Sequence, residues 1–272
     1  MEDYDWEQVD ATAQDAQELI LPRITWLNGK RNLKGAGGIA YTGGMTARRL
    51  SLGPDATIEN WTVGGFDADG KTIETLETPH PVIAPIRYRR RWAQFDGNVL
   101  THWVPITEPH RPGYKIQLEI AGFIRGWDQP VRFDLRGYAS SGLLDAMREH
   151  ATHIVAEANR HAPAGRALPP YAFWLRVQAG EHKLVGKGRQ SDATVPQLVR
   201  PAEITADYTQ KLYVGKEWLC RFQAFYHEID HWTQEWGARH LSAGADERND
   251  LVANGHRTTE DMLDTPVEDI PF

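Results

Sequence analysis

Ile86-Arg87-Tyr88-Arg89-Arg90-Arg91-Trp92-Ala93-Gln94-Phe95-Asp96-Gly97 is the stretch on which the fold class turns. Its aromatic, β-branched and arginine residues carry no helical stripe, and Asp-Gly closes it as a hairpin turn. Residues 86–95 and 99–106 are therefore expected as paired strands. With a side-chain period of two, Arg87, Arg89 and Arg91 share one face, and Tyr88, Arg90 and Trp92 share the other. Three neighbouring arginines on one sheet face repel each other, and a bound anion would relieve that cost.

Outward from this hairpin, the region from Pro22 to Tyr138 reads as β-rich. Turn signals recur at Asn28-Gly29, Gly43-Gly44 and Asp69-Gly70. Residues 114–124 alternate, with Ile116, Leu118 and Ile120 on one face and Lys115, Gln117 and Glu119 on the other. Residues 131–138 form a further strand. A helix is expected over residues 141–160, with Leu144, Met147, Ala151, Ile154, Val155 and Ala158 as its apolar stripe and Pro163 and Gly165 as its stop. Residues 171–177 and the segment around 183–185 return to strand. A second long helix is expected over 216–240, where Trp218, Phe222, Phe225, Ile229, Trp232 and Trp236 repeat at helical spacing. The fold class is α+β.

The 272-residue chain has a net charge of −7, which by itself argues against nucleic acid. The distribution reverses that reading. Residues 1–20 hold seven acids and no lysine or arginine, and residues 242–272 hold eight acids against two arginines. The intervening body holds 22 acids and 28 bases, a net of about +6. Three units are expected: an acidic arm (1–20), a cationic body (21–241) and an acidic, disordered tail (242–272). The single cysteine, Cys220, excludes an internal disulfide and fits a reducing cytoplasm. Neither a signal peptide nor a stretch long enough to span a membrane is expected.

The tail finishes Asp264-Thr265-Pro266-Val267-Glu268-Asp269-Ile270-Pro271-Phe272. Acids ahead of a terminal Ile-Pro-Phe closely resemble the C-terminal tip of bacterial single-stranded DNA-binding proteins. In that family such a tip docks onto replication, recombination and repair enzymes. The Phe272 ring would fill an apolar pocket while its carboxylate meets a basic rim. Pro271 limits the freedom lost on docking, and Asp264, Glu268, Asp269 and Ile270 complete the recognised segment. The resemblance is confined to the tip. It implies a β-rich, OB-like barrel, here with added strands and two long helices, the capacity to form homo-oligomers, and no catalysis or cofactor. A phage or mobile-element origin would suit the unfamiliar body.

Sequence-tolerant binding of one strand needs cations for phosphates and flat rings for bases. Arg87, Arg89 and Arg91 with Tyr88 and Trp92 supply both. Lys30, Arg31, Lys34, Tyr41, Arg48 and Arg49 surround a Gly-rich segment that lacks the ending of a phosphate-binding P-loop. Lys183, Lys187 and Arg189 form a third cluster, and Arg125 and Trp127 flank Gly126. The alternative reading is a zinc metallohydrolase, because His227-Glu228-Ile229-Asp230-His231 resembles the H-E-x-D-H motif of peptide deformylases. That family's E-G-C-L-S segment is missing, and the two histidines lie opposite the apolar stripe of their helix.

Overall fold

The computed structural model describes residues 21–32, 40–53, 55–68, 71–96, 99–160, 162, 166–185 and 191–233. Within them, ten strands form one mixed sheet. They are β1 (Arg23–Asn32), β2 (Ala40–Arg48), β3 (Thr62–Ala68), β4 (Lys71–Thr78), β5 (Val82–Asp96), β6 (Val99–Pro105), β7 (Lys115–Ile124), β8 (Val131–Arg136), β9 (Leu175–Val185) and β10 (Ser191–Leu198). The order is β10-β9-β5-β7-β8-β1-β2-β4-β3, with β6 paired to β5 beside this path. All pairs are antiparallel except β1 with β8.

The sheet is open and mixed, and the expected OB-like barrel is not seen. Its two path ends, β10 and β3, do not pair. Instead β10 reaches β1 through side chains: Trp26 Nε1 donates to the Thr194 carbonyl at 2.7 Å, and Thr194 Oγ1 donates to the Leu27 carbonyl at 3.1 Å. Gly43 of β2, at φ +100°, permits this approach, because a Cβ there would meet Thr194 Oγ1 at 2.2 Å. The body is thus bridged by individual hydrogen bonds where a barrel would have a backbone ladder.

Strand β7 shows why alternation alone underestimates burial. Ile116, Leu118 and Ile120 face the main core, as the pattern requires, but Gln117 and Glu119 on the polar side are buried too. The first core lies between β1, β2, β5, β7, β8 and helix α2 (Tyr138–Glu149). Short helix α1 (Arg49–Leu52) closes its end with Leu52. A π-helical segment, His150–Val155, and α3 (Ala156–Asn159) continue from α2, so the helix expected over 141–160 is real but carries a widened turn. That turn shifts the buried stripe from Leu143, Leu144 and Ala146 to His150, Ile154 and Val155. Gly142 lets α2 lie on β10, since a Cβ there would sit 2.1 Å from Val195 Cγ1.

The last helices are α4 (Ala206–Leu212), N-capped by Thr205, and α5 (Lys216–Glu228). Helix α5 buries Phe222 and Phe225, with Ile229 and Trp232 beyond its end, against Ala84, Ile86, Ala121, Phe123 and Trp174. Each fully buried aromatic of this kind contributes about 1.5–3 kcal/mol. The second expected helix therefore exists and seats its stripe on the sheet, while Trp236 lies outside the described residues. No helix among the described residues is long and apolar enough to cross a membrane.

Candidate nucleic-acid interface

Residues directly opposite each other in a ladder project from the same face. One row runs Arg89, Glu119, Asp134, Thr25, Thr46, Glu77 and Thr62 across seven strands. A second runs Arg87, Ala121, Arg132 and Arg23, and a third Arg91, Gln117 and Arg136. Arg48, two residues along β2 from Thr46, joins the same face. This face thus carries seven arginines against the carboxylates of Glu119, Asp134 and Glu77.

The arginine row on β5 shares one face, as its period requires, but the protein covers it. Arg89 sends Nε and Nη2 to Glu119 at 3.0 and 2.8 Å, and Nη1 to the Trp232 carbonyl at 3.1 Å. Its guanidinium lies 4.2 Å from the Trp232 ring. Arg87 pairs with Asp230 at 2.5 Å, donates to the Tyr226 carbonyl at 2.9 Å and sits 3.7 Å over the Tyr226 ring. Arg91 donates to Gln117 at 2.9 Å and lies 5.1 Å from the Trp103 ring. Burial lowers the Arg91 guanidinium to about 10, against the opposing pull of Glu119. The expectation of an open cationic row at Arg87, Arg89 and Arg91 is corrected. These side chains answer their mutual repulsion with internal carboxylates and rings, and bind the negative, carbonyl end of α5.

Further along the same face the arginines are less covered: Arg48 is exposed and Arg23 partly so. The parallel β1–β8 ladder stops at Thr25 and Asp134, and the strands part there. A concavity of about 740 Å3 forms at the fork, with Arg23, Arg48 and Arg136 around it and Thr25, Thr46 and Asp134 in its walls. Arg23 pairs with the buried Asp134 while its side chain stays 43% exposed. Gln117 Nε2 donates to the other oxygen of Asp134 at 3.1 Å, so this carboxylate is held on two sides. Arg136 stacks 4.0 Å over Phe95, and burial lowers its guanidinium somewhat, opposed by Asp134. Arg48 is exposed. Three guanidinium groups at a concave, hydroxyl-lined site suit phosphate oxygens.

The other expected residues fall in different places. Tyr88 and Trp92 turn inward against the main core, and Trp92 Nε1 donates to the Glu108 carbonyl at 3.0 Å. They wall the core and offer no open ring face on that side. Trp127 also packs on the core, whereas Arg125 is exposed beside Gly126. Arg49 is half-buried and lies 3.5 Å from Glu74. Lys30 and Arg31 continue β1 and pair with Thr42 and Tyr41, their side chains lying outside the described residues, as does that of Lys183 in β9. Lys34, Lys187 and Arg189 lie outside the described residues, as do the tail residues Asp264, Glu268, Asp269, Ile270, Pro271 and Phe272. Arg23, Arg132 and Arg136 escaped the sequence reading. Their signal was present in the alternation of Val131–Arg136, which puts Arg132 and Arg136 on the polar face with Asp134.

The histidine motif is interrupted. Helix α5 ends at Glu228, and Ile229 takes φ −97° and ψ 18°, so His227 and His231 do not share one continuous helix. Both are exposed, and Asp230 between them pairs with Arg87. Among the described residues no group of three or more His, Cys, Asp or Glu side chains is placed to share a metal ion. The chain matches no protein-family model, and no curated protein or solved structure is significantly similar to it.

Proposed function

We propose that this chain binds single-stranded DNA without sequence preference and presents residues 264–272 to replication, recombination or repair enzymes, acting in the cytoplasm without catalysing a reaction. The observation that carries this reading is the open end of the arginine face, where Arg23, Arg48 and Arg136 surround a concavity at the β1–β8 fork. Phosphates would seat on these guanidinium groups, with the Thr25 hydroxyl as a lesser donor. Lys30 and Arg31 follow further along the β1 backbone. The cationic body between acidic ends fits a division of labour between strand and partner. An open sheet can offer phosphates a cationic face as an OB-like barrel would, because that contact needs no closure.

The test is a titration of oligo-dT against duplex of equal length across a salt series. Single-strand preference is expected, with log K falling as log salt rises by about 0.7 per phosphate contact. Arg48→Glu should weaken binding about tenfold and lower that slope by about one contact. Equal affinity for duplex, or no binding at low salt, would overturn the reading.

A further inference from the structure

We propose that the arginine concavity at the β1–β8 fork takes the terminal phosphate monoester of a strand, so that the protein reads a strand end as well as gripping internal phosphates. The assignment rests on the reading of this concavity as a phosphate site and narrows it to one kind of phosphate.

Charge gives the first reason. Arg23, Arg48, Arg136 and Asp134 are the charged side chains that line the concavity among the described residues. Asp134 offsets one guanidinium, which leaves two positive charges at the site. That carboxylate is buried and held by Arg23 and by Gln117 Nε2 at 3.1 Å, so the offset is built into the fold. An internal phosphodiester carries a single negative charge. A terminal monoester carries about 1.5–2 near neutral pH, with three oxygens to bind. The doubly charged end is the better match.

Shape points the same way. The lining residues come from β1, β2, β4, β8, α1 and α2, so six elements surround one bowl. Its volume of about 740 Å3 lies in the range of small-ligand sites. A bowl of this size suits the last nucleotide of a strand, whereas a passing strand needs a groove that tracks its backbone.

The fork also supplies a backbone donor. The Arg132 amide donates to the Pro22 carbonyl at 2.9 Å across the β1–β8 seam. By the strand period, the amides of Asp134 and Arg136 aim at that same seam. The ladder ends at Asp134, so the Arg136 amide points into the fork. Arg136 thus brings an amide and a guanidinium to one site, the latter oriented by its stacking 4.0 Å over Phe95. Arg23 gives part of its guanidinium to Asp134, and its five N–H donors leave others for a ligand.

Calorimetric titration of the full chain with a short oligo-dT bearing a 5′-phosphate, a 3′-phosphate or hydroxyls at both ends tests the assignment. One or both phosphorylated forms should bind about tenfold tighter than the hydroxyl-ended one, as an added charge-assisted hydrogen bond allows. The form that gains identifies which end is read. Arg48→Gln, at an exposed position, leaves one net positive charge and should bring that ratio close to one. Equal affinity of all three oligomers would overturn the end-reading and leave internal strand binding standing. A preference that survives Arg48→Gln would put the terminal phosphate elsewhere and overturn the assignment. Binding of a phosphorylated oligomer but not of the hydroxyl-ended one would uphold the end-reading and overturn the sequence-tolerant grip, and binding of none would overturn both.

Discussion

The two ends of one arginine face behave differently although the same sheet carries both. At the β5 end, Arg87 and Arg89 are 15% and 9% exposed and are spent on Asp230, Glu119 and the carbonyls of Tyr226 in α5 and Trp232 beyond it. At the β1–β2 end, Arg23 is 43% exposed and Arg48 stands open. What differs is the covering element: α5 lies on the first group, whereas at the second Ser51 of α1 and Ala139 of α2 only border the concavity. A row of like charges in a sequence is therefore not by itself a binding site. It becomes one only where the fold leaves it uncovered.

The sharpest way to break this comparison is at the covered end. Arg89→Met leaves Glu119 buried without its main partner and should cost about 3–5 kcal/mol in denaturant unfolding. Adding Glu119→Leu should return much of that loss, because the uncompensated charge is gone. Recovery of none of it would mean that the carbonyl contact to Trp232 matters more than the ion pair.

A loss of about 3 kcal/mol is expected from acid alone. The buried His150 is lowered to about 4 in the fold, from an ordinary value of 6.5. The unfolded chain thus binds the proton first. Stability from this group is complete above about pH 6.5 and drains away as pH falls towards 4. Melting temperatures followed through this window should fall steeply, and His150→Gln should flatten the curve relative to its own value at pH 7.

Arg48→Glu sharpens the comparison at the open end. It should change stability by less than about 0.5 kcal/mol, as exposed substitutions do, while weakening oligo-dT binding. A matched loss of stability would show that Arg48 is structural like Arg89. The smallest effect on the body is expected from removing residues 264–272: an unchanged melting temperature and oligo-dT affinity, with capture of partner enzymes lost. Loss of strand affinity in that deletion would contradict the separation of grip from docking.

The β-rich body, the alternation of β7 and the common face of Arg87, Arg89 and Arg91 were legible in the sequence, because a period of two fixes which side chains share a face. Helix α5 was legible for the same reason at its own period. What the sequence withheld was partnership. The stripe of Phe222, Phe225, Ile229 and Trp232 declares an apolar surface, but nothing in its spacing says that it will lie on β5 and β7 and cap the arginines of β5. The parallel match of Arg23–Thr25 with Arg132–Asp134 joins segments over a hundred positions apart, so the fork holding the open arginines left no local trace. Strand β10 was missed because Pro196 and Asp192 depress strand propensity, whereas its place beside β9 tolerates both. The widened turn at His150 was hidden inside an ordinary helical stripe.

The Trp232 carbonyl bound by Arg89 also sets how this molecule would respond to traction. A partner pulling on the C-terminal residues would transmit tension through Thr233 to Trp232, and from there into Arg89 and Glu119. Tension there would peel a helix from the sheet one side chain at a time, while the strand ladders beneath, loaded together, resist as a block. The weakest joint under pull is thus the seat of α5, and its release would bare the guanidinium groups of Arg87 and Arg89.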